Sequence, residues 1–196
     1  LLKKDNSYYY QDKKVKIKLN TKNVYSKGMF ENVCLAIKIA LDLNIDKKII
    51  QKTLPYLSFE GRFQFLYKGK IKNKLHRNET IMIDGAHATA DAKNLANYLK
   101  NIKIPKYGIW AMSKNKEPDL FIKQLKGVFK KVVTMTIENE TNSVSAKKLY
   151  KIAIKNKFKA EKSDSFTEAL RKIRSSEKKL IVCFGSLYNC GNILNK

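Results

Sequence analysis

The chain has 196 residues, and its 41 lysine and arginine residues against 17 aspartate and glutamate residues give a formal net charge of +24 at pH 7. Hydrophobic residues make up 43% of it, enough for a sizeable core. No uninterrupted apolar run approaches the ~18 residues that a membrane span needs, so we do not expect a membrane protein.

The positive charge by itself would indicate a nucleic-acid-binding protein. However, only four of the basic residues are arginines, the usual groups for bidentate phosphate and base recognition, and the lysines are spread along the whole chain. We attribute the charge to compositional drift and do not expect nucleic acid as a partner. A basic nucleic-acid-binding protein stays the least favoured alternative, and it would require retention on DNA or RNA that depends steeply on salt.

Cysteine and histidine are too few and too scattered for a metal site. The chain has Cys34, Cys183 and Cys190 with His76 and His87, and their spacing matches no zinc motif. An odd number of cysteines favours a reducing, cytoplasmic environment. The first residue is leucine, and we expect the chain to be a fragment of a longer product.

The first 60 residues contain one hairpin pattern and two helix patterns. Apolar residues alternate with lysines across residues 8–19, which predicts an edge hairpin. Residues 29–41 have apolar side chains at helical spacing, and a short second helix is predicted from Asp46 to Leu54, before Pro55. A boundary is predicted near Gly61, followed by a hairpin through residues 65–75.

From Thr80 onwards, apolar strands alternate with amphipathic helices. This alternation predicts an α/β fold with a mostly parallel sheet flanked by helices. The predicted strands are 80–84, 107–112, 131–136 and 180–184, with a further one at 158–160, and the predicted helices are 90–101, 119–125, 144–156, 165–174 and one starting near Leu187.

Polar residues follow the ends of three predicted strands, and one more lies at the boundary. Asp84 and His87 follow the first strand, residues 113–116 (Ser-Lys-Asn-Lys) follow the second, and Gly185-Ser186 follows the last, while Arg62 lies at the boundary. Because ligands of open α/β sheets bind beyond the carboxyl ends of the strands, these turns could form one site for a nucleotide and a small carboxylate. Each residue alone also has an ordinary explanation as a helix cap or a solvated side chain.

The ordered set of motifs resembles the carboxy-terminal half of the folylpolyglutamate synthase/dihydrofolate synthase family, in the Mur ligase superfamily. The resemblance covers essentially the whole chain. It is carried by Gly61-Arg62-Phe63-Gln64, by Ile83-Asp84-Gly85-Ala86-His87, by the turn from Ala111-Met112 to Lys116-Glu117, by Phe184-Gly185-Ser186-Leu187-Tyr188, and by Asn32-Val33-Cys34-Leu35-Ala36.

The resemblance implies two parts and an activity. Residues 1–60 would be the remnant tail of the N-terminal ATPase domain (Mur ligase central-type), and residues 61–196 would be the Mur ligase C-terminal-like, glutamate-ligase domain. The family uses ATP and Mg²⁺ to join L-glutamate to a folate or dihydropteroate carboxylate through an acyl phosphate. The sequence does not decide between dihydrofolate synthase and folylpolyglutamate synthase activity. It also does not indicate an oligomeric state.

Site roles follow from matching positions in the motifs. Arg62 and Asp84 would contact ATP, with Asp84 placed at the ribose hydroxyls. His87 and Ser186 would hold the incoming glutamate, with Lys116 a candidate for its carboxylate. No residue is assigned as catalytic and no metal ligand is expected in this chain.

Two departures from the family pattern bear on activity. Ala88 stands where an asparagine usually follows the histidine, and the chain contains no G-x-x-x-x-G-K-[ST] phosphate-binding loop. We therefore expect the loop and the Mg²⁺ ligands in a missing N-terminal half, either covalent or a separate chain, and expect this chain alone to be inactive. The alternative is a degenerate, non-catalytic remnant of the enzyme.

Overall fold

The computed structural model describes residues 1–195, which divide into two compact units. The first unit is Leu1–Phe59, and the second begins at Glu60. Within the described part of the chain, no helix is long and apolar enough to cross a membrane.

The first unit combines a small antiparallel sheet with two helices. Its strands β2 and β3 form the hairpin that the alternation in residues 8–19 predicts, and β1 adds a third strand. Alternation works here because Tyr10 and Ile17 face inward while the neighbouring lysines face water. The elements are β1 Leu2–Lys4, β2 Ser7–Gln11, β3 Lys16–Lys18, α1 Lys27–Asp42 and α2 Lys47–Thr53, followed by a 3₁₀ turn Leu54–Tyr56.

Helix α1 is apolar on two sides. The Ser26 hydroxyl caps its start by accepting a hydrogen bond from the backbone N–H of Met29. One side is buried and includes Val33 and Ile37, in agreement with the predicted helical pattern. A second stripe, Leu35, Ile39 and Leu43, is exposed, with accessible fractions of 61%, 51% and 70%. We call these three residues the exposed α1 stripe.

The second unit is a six-stranded sheet with the order β4-β5-β9-β6-β7-β8. All neighbouring strands are parallel except β4, which pairs antiparallel with β5. The strands are β4 Gln64–Phe65, β5 Glu79–Asp84, β6 Lys106–Trp110, β7 Lys131–Thr134, β8 Ala160–Lys162 and β9 Lys179–Phe184. The helices are α3 Lys70–Asn73, α4 Thr89–Lys100, α5 Pro118–Lys123, α6 Ala146–Lys155, α7 Phe166–Ile173 and α8 Leu187–Leu194.

The mostly parallel α/β architecture is as predicted, with two local differences. The predicted hairpin through residues 65–75 is wrong, because Gln64–Phe65 pairs with β5 and Lys70–Asn73 forms a helical turn. The strand predicted at 158–160 lies two residues later, at Ala160–Lys162, because its pairing with β7 begins where Ala160 is in register with Val132.

Helices cover both faces of this sheet. One core packs Ile81, Ile109 and Ile181 against residues of α7 and α8. On the other face Trp110 stacks on Phe121 of α5, and the Thr134 hydroxyl donates to the Ala146 carbonyl of α6. Both faces of the central strands are therefore buried, as a parallel sheet requires.

The amino-terminal edge of the sheet holds a buried ion pair. Lys179 and Glu79, at the starts of β9 and β5, have side chains that are 0% and 1% exposed, with Nζ 3.9 Å from Oε1. Lys179 Nζ also donates to Ser175 Oγ (2.6 Å) and to the carbonyls of Ser175 (3.0 Å) and Ile173 (3.2 Å). Burial lowers the pKa of Lys179, and these acceptors compensate the charge.

Candidate functional site

Three strand ends are aligned at the carboxyl edge of the sheet. Strand β9 lies between β5 and β6, and its last residue, Phe184, is in register with Asp84 on one side and Trp110 on the other. Neighbouring strands are about 4.8 Å apart, so the turns after β5 and β6 begin roughly 10 Å from each other. The structure thus brings the turns carrying Asp84, Ser186 and Lys116 to one edge.

Asp84 is buried, and its carboxylate accepts two backbone hydrogen bonds. The residue is 2% exposed, with Oδ2 2.8 Å from the N of Phe63 and Oδ1 2.8 Å from the N of Ala86. Burial raises the pKa of Asp84 to about 6, although both hydrogen bonds and the nearby charge of Arg62 act to lower that pKa. The carboxylate therefore ties the turn before β4 to the end of β5.

This burial predicts a pH-dependent contribution to stability. The folded-state pKa, about 6, lies above the ordinary value of 3.8. The folded protein therefore binds this proton more tightly than the unfolded chain does. The contribution of Asp84 to the free energy of unfolding should fall by about 3 kcal/mol as the pH rises from about 3 to about 7.

The matched comparison is with Asp84→Asn, which cannot titrate. Urea unfolding of both proteins across this pH range should show the wild type losing about 3 kcal/mol relative to the variant, since all other groups cancel in the difference. A difference that does not change with pH would contradict a buried carboxylate with a raised pKa.

Arg62 lies in a turn that is fastened at several points. Gly85 donates its backbone N–H to the Gly61 carbonyl (2.6 Å), and the Gly61 N–H donates to Gln64 Oε1 (2.8 Å). Phe63, which is 4% exposed, packs edge-to-face on Tyr98 of α4, with a ring-centroid distance of 4.8 Å. The half-buried Arg62 forms no salt bridge within the described residues, so its guanidinium is available to an anion.

His87 is half-buried and its ring is oriented by the backbone. Nδ1 lies 2.8 Å from the Gly85 carbonyl oxygen. A carbonyl only accepts, so Nδ1 must carry the proton, and Nε2 is the nitrogen left for a ligand. The turn lacks the asparagine expected at position 88, but Asp91 Oδ2 accepts from the N–H groups of both His87 and Ala88, at 3.3 Å each. Asp91 therefore braces the start of α4.

Ser186 lies at the amino terminus of α8 and is 3% exposed. Its hydroxyl makes no capping hydrogen bond with the helix. The start of α8 packs directly on the turn after β5, where a Cβ added to Gly85 would lie 2.2 Å from Leu187 Cδ2. Glycine at position 85 thus permits the contact that brings the Ser186 segment close to Asp84.

The turn after β6 presents two lysines with different surroundings. Lys114 Nζ donates to the Thr141 carbonyl (2.9 Å), and the turn is held by a bridge between Ser113 and Ser143. Lys116 is half-buried and has no ion pair within the described part of the chain. Lys116 is therefore the lysine of this turn whose ammonium can meet a carboxylate.

Sequence patterns missed three polar groups at this edge. Asp91 was not singled out, although Asp three positions into a helix is a known signal for capping. The side-chain donors Trp110 Nε1 and Asn189 Nδ2 are buried without an acceptor among the described residues. No spacing rule identifies them, because their burial depends on how β6 and α8 pack.

Comparison with known proteins identifies the family. Residues 67–196 match the sequence model described as "Dihydrofolate synthetase, C-terminal domain". The chain belongs to this family. A search of curated protein sequences finds no significant match. The resemblance inferred from the motifs is confirmed.

Solved structures of related enzymes share the fold. Escherichia coli FolC in complex with DHPP and ADP is 15% identical, with a TM-score of 0.78 over 99% of this chain and 44% of that chain. Mycobacterium tuberculosis folylpolyglutamate synthase complexed with ADP and AMPPCP is 15% identical, with a TM-score of 0.73 over 94% and 45%. A bifunctional folylpolyglutamate synthase/dihydrofolate synthase with Mn, AMPPNP and L-glutamate bound is 18% identical, with a TM-score of 0.76 over 98% and 44%.

The comparisons bear on the fold class of the chain and on how much of its relatives it covers. The predicted α/β fold class is confirmed. The chain spans less than half the length of the solved structures that it matches. No group of three or more His, Cys, Asp or Glu residues within residues 1–195 could hold a metal ion. The described residues do not fit a magnesium site, and no step through the metal is assigned to them.

Proposed function

We propose that this chain is the C-terminal portion of an ATP-dependent ligase that adds L-glutamate to the carboxylate of a folate or dihydropteroate. The observation that carries the proposal is the family match together with the shared edge of β5, β9 and β6, where Arg62, His87 and Ser186 follow the expected motifs. The ligands bound in the similar structures, ADP, AMPPNP, DHPP and L-glutamate, support the same substrates.

The proposed reaction has two covalent steps. A substrate carboxylate oxygen attacks the γ-phosphorus of ATP, which forms an acyl phosphate and releases ADP. The α-amine of glutamate then attacks the acyl carbon, the tetrahedral intermediate expels inorganic phosphate, and the amine loses a proton. Activation is needed because a carboxylate oxygen is a poor leaving group, and positioning and charge stabilisation provide most of the acceleration.

Arg62 and Asp84 form the ATP side of this site. The Arg62 guanidinium is permanently charged and matches phosphate oxygens in a bidentate geometry. Because hydrogen bonds already hold the turn that carries Arg62, binding of a phosphate to its guanidinium should cost little conformational entropy.

His87, Ser186 and Lys116 form the glutamate side. Because the Gly85 carbonyl fixes the proton on Nδ1, His87 Nε2 can accept from an ammonium when neutral or donate to a carboxylate when protonated. The Ser186 hydroxyl and the amino terminus of α8 supply donors for a carboxylate, and Lys116 supplies a charge for the other carboxylate.

The activity requires an ATPase half that carries the phosphate-binding loop and the Mg²⁺ ligands. We assign residues 1–60 as the tail of that ATPase domain and residues 61–196 as the glutamate-ligase domain. The exposed α1 stripe supports this assignment, since three large apolar side chains in a row favour a partner surface. Whether the half is covalently attached or a separate chain, it would cover this stripe.

A measurement of labelled glutamate incorporation tests the proposal. MgATP, labelled glutamate and either dihydropteroate or tetrahydrofolate are supplied to this chain alone, and to this chain with the polypeptide encoded immediately upstream. We expect incorporation in the mixture only, and the acceptor that is used will identify the synthase. Arg62→Ala and His87→Ala should each lower the rate at least about tenfold, since each removes a charge-assisted contact.

Matched controls come from the opposite edge of the sheet. Arg77 and His76 are exposed and precede β5, so Arg77→Ala and His76→Ala should leave the rate unchanged. Wild-type rates for the Arg62 and His87 variants would remove their roles. If this chain and the upstream polypeptide are both folded and no mixture of them incorporates glutamate, the non-catalytic remnant is favoured. Ala88, in place of the usual asparagine, supports that alternative.

A further inference from the structure

We propose that Leu187 is a positioning residue whose side chain sets the spacing between the ATP side and the glutamate side of the site. This inference rests on the proposed function for the roles of Arg62, His87 and Ser186. Leu187 itself touches no substrate in this proposal, and it acts through two glycines against which its side chain packs.

Gly85 links the two sides of the site through its backbone. Its N–H donates to the Gly61 carbonyl at 2.6 Å, and its own carbonyl oxygen lies 2.8 Å from Nδ1 of His87. Gly61 is the residue before Arg62, so one residue is hydrogen-bonded both to the turn on the ATP side and to the histidine on the glutamate side. A shift of Gly85 would therefore move both sides.

The Leu187 side chain packs on both glycines of this link. A Cβ added to Gly85 would lie 2.2 Å from Leu187 Cδ2 and 2.5 Å from its Cγ, and a Cβ added to Gly61 would lie 3.1 Å from the same Cδ2. The end of the leucine thus occupies the space that side chains at both positions would need. Because Leu187 directly follows Ser186 and begins α8, the start of this helix is held against both turns.

Leu187 is 44% exposed, which distinguishes it from a residue of the core. One part of its side chain packs on the glycines while the rest meets solvent, so the fold should survive its truncation. Cys190, which is 2% exposed, and Ile193 keep α8 attached to the sheet through the buried core. Truncation of Leu187 to alanine therefore removes the filling between the turns and leaves the helix in place.

The spacing between the two sides matters for the second covalent step. The acyl phosphate forms on the ATP side, and the glutamate amine must reach the acyl carbon before water does. If water attacks instead, the carboxylate and inorganic phosphate are released, and ATP is consumed without product. A misplacement of about 1 Å can slow a positioned attack about a hundredfold, so a loosened contact should favour water.

The ratio of ADP released to glutamate incorporated tests this role. It is measured on this chain with its ATPase half present, using MgATP, labelled glutamate and the acceptor that supports incorporation. Leu187→Ala should raise the ratio at least about threefold, because capture by the amine slows more than formation of the acyl phosphate does. An unchanged ratio would overturn the proposal, since a mere loss of folded enzyme lowers both products equally.

Two leucine variants serve as matched controls. Leu187→Met nearly keeps the side-chain volume and should give the wild-type ratio. Leu194→Ala removes the same group from the other end of α8, where the leucine is 41% exposed, and it should also leave the ratio unchanged. An equal rise in the ratio for Leu194→Ala would mean that any truncation on this helix has the same effect, and it would overturn the role of Leu187.

Hydrogen exchange on this chain alone provides a readout that does not depend on substrate. In Leu187→Ala the amide of Gly85 should exchange at least about tenfold faster, while the amide of Val182 in β9 should be unchanged. Unchanged exchange at Gly85 would overturn the proposal. If the wild type incorporates no glutamate while Gly85 responds as expected, the proposed function fails and the positioning contact of Leu187 stands.

Discussion

Replacing Gly185 by alanine is expected to lower the free energy of unfolding of the second unit by about 4 kcal/mol. Gly185 has a φ of +106°, where an L side chain is strained by about 1–3 kcal/mol. An added Cβ would also lie 2.3 Å from the Ala111 carbonyl oxygen and 2.8 Å from Trp110 Cδ1, so the turns after β9 and β6 would have to separate. Such overpacking typically costs about 1–3 kcal/mol more. Urea or thermal unfolding measures the loss.

Alanine substitutions at two other glycines distinguish the cost of backbone strain from the cost of the steric clash. Gly127 has a φ of +76° and nothing within 4 Å of an added Cβ, so Gly127→Ala should show the strain alone, about 1–2 kcal/mol. Gly191 lies in α8 with open space around it, and Gly191→Ala should stabilise the protein by about 1 kcal/mol. If Gly185→Ala costs no more than Gly127→Ala, the close approach of the two turns is not rigid.

Replacing Lys179 by methionine is expected to cost about 3–5 kcal/mol. The substitution keeps an apolar stem of similar length but leaves Glu79, which is 1% exposed, without its cation. Glu79 Oε2 still accepts the His76 N–H, but Oε1 has no hydrogen bond. A buried carboxylate with one unsatisfied oxygen and no counter-charge is the least favourable state of this pair.

The matched variants are Glu79→Gln and the double variant. Glu79→Gln should cost about 1–2 kcal/mol, because Lys179 keeps three oxygen acceptors at Ile173 and Ser175. The double variant should recover at least half of the loss seen for Lys179→Met, since neither charge then stays buried alone. Additive losses in unfolding free energy would mean that the two charges do not interact.

Much of the second unit could be predicted from local pattern. Apolar runs that alternate with amphipathic helices are a signal that each segment carries by itself, and the strand predicted at 180–184 differs from β9 by one residue. Strand β4 could not be predicted, because two residues, Gln64 and Phe65, become a strand only through pairing with β5. Likewise a lysine is ordinarily solvated, and nothing local marks Lys179 as 0% exposed.

The candidate site likewise has features that local sequence pattern predicts and features that only tertiary packing determines. Turns after parallel strands can be placed at one edge from topology alone, which is why Asp84 and Ser186 could be associated. The partner of Asp84 could not be predicted, because the Phe63 N–H is 21 residues away in a left-handed turn. Local pattern finds which residues are at the edge, whereas their hydrogen bonds depend on tertiary packing.

The position of β9 in the sheet also determines when this edge can form. It separates β5 from β6 and pairs with both, and its first residue, Lys179, faces Glu79 across 100 residues of chain. Contacts between residues so distant in sequence close large loops, and proteins dominated by them fold slowly. Until residues 179–184 insert, β5 and β6 have no common neighbour, so the turns carrying Asp84 and Lys116 are not yet aligned. The turns that we propose for ATP and for glutamate are therefore aligned only when β9 pairs with both strands.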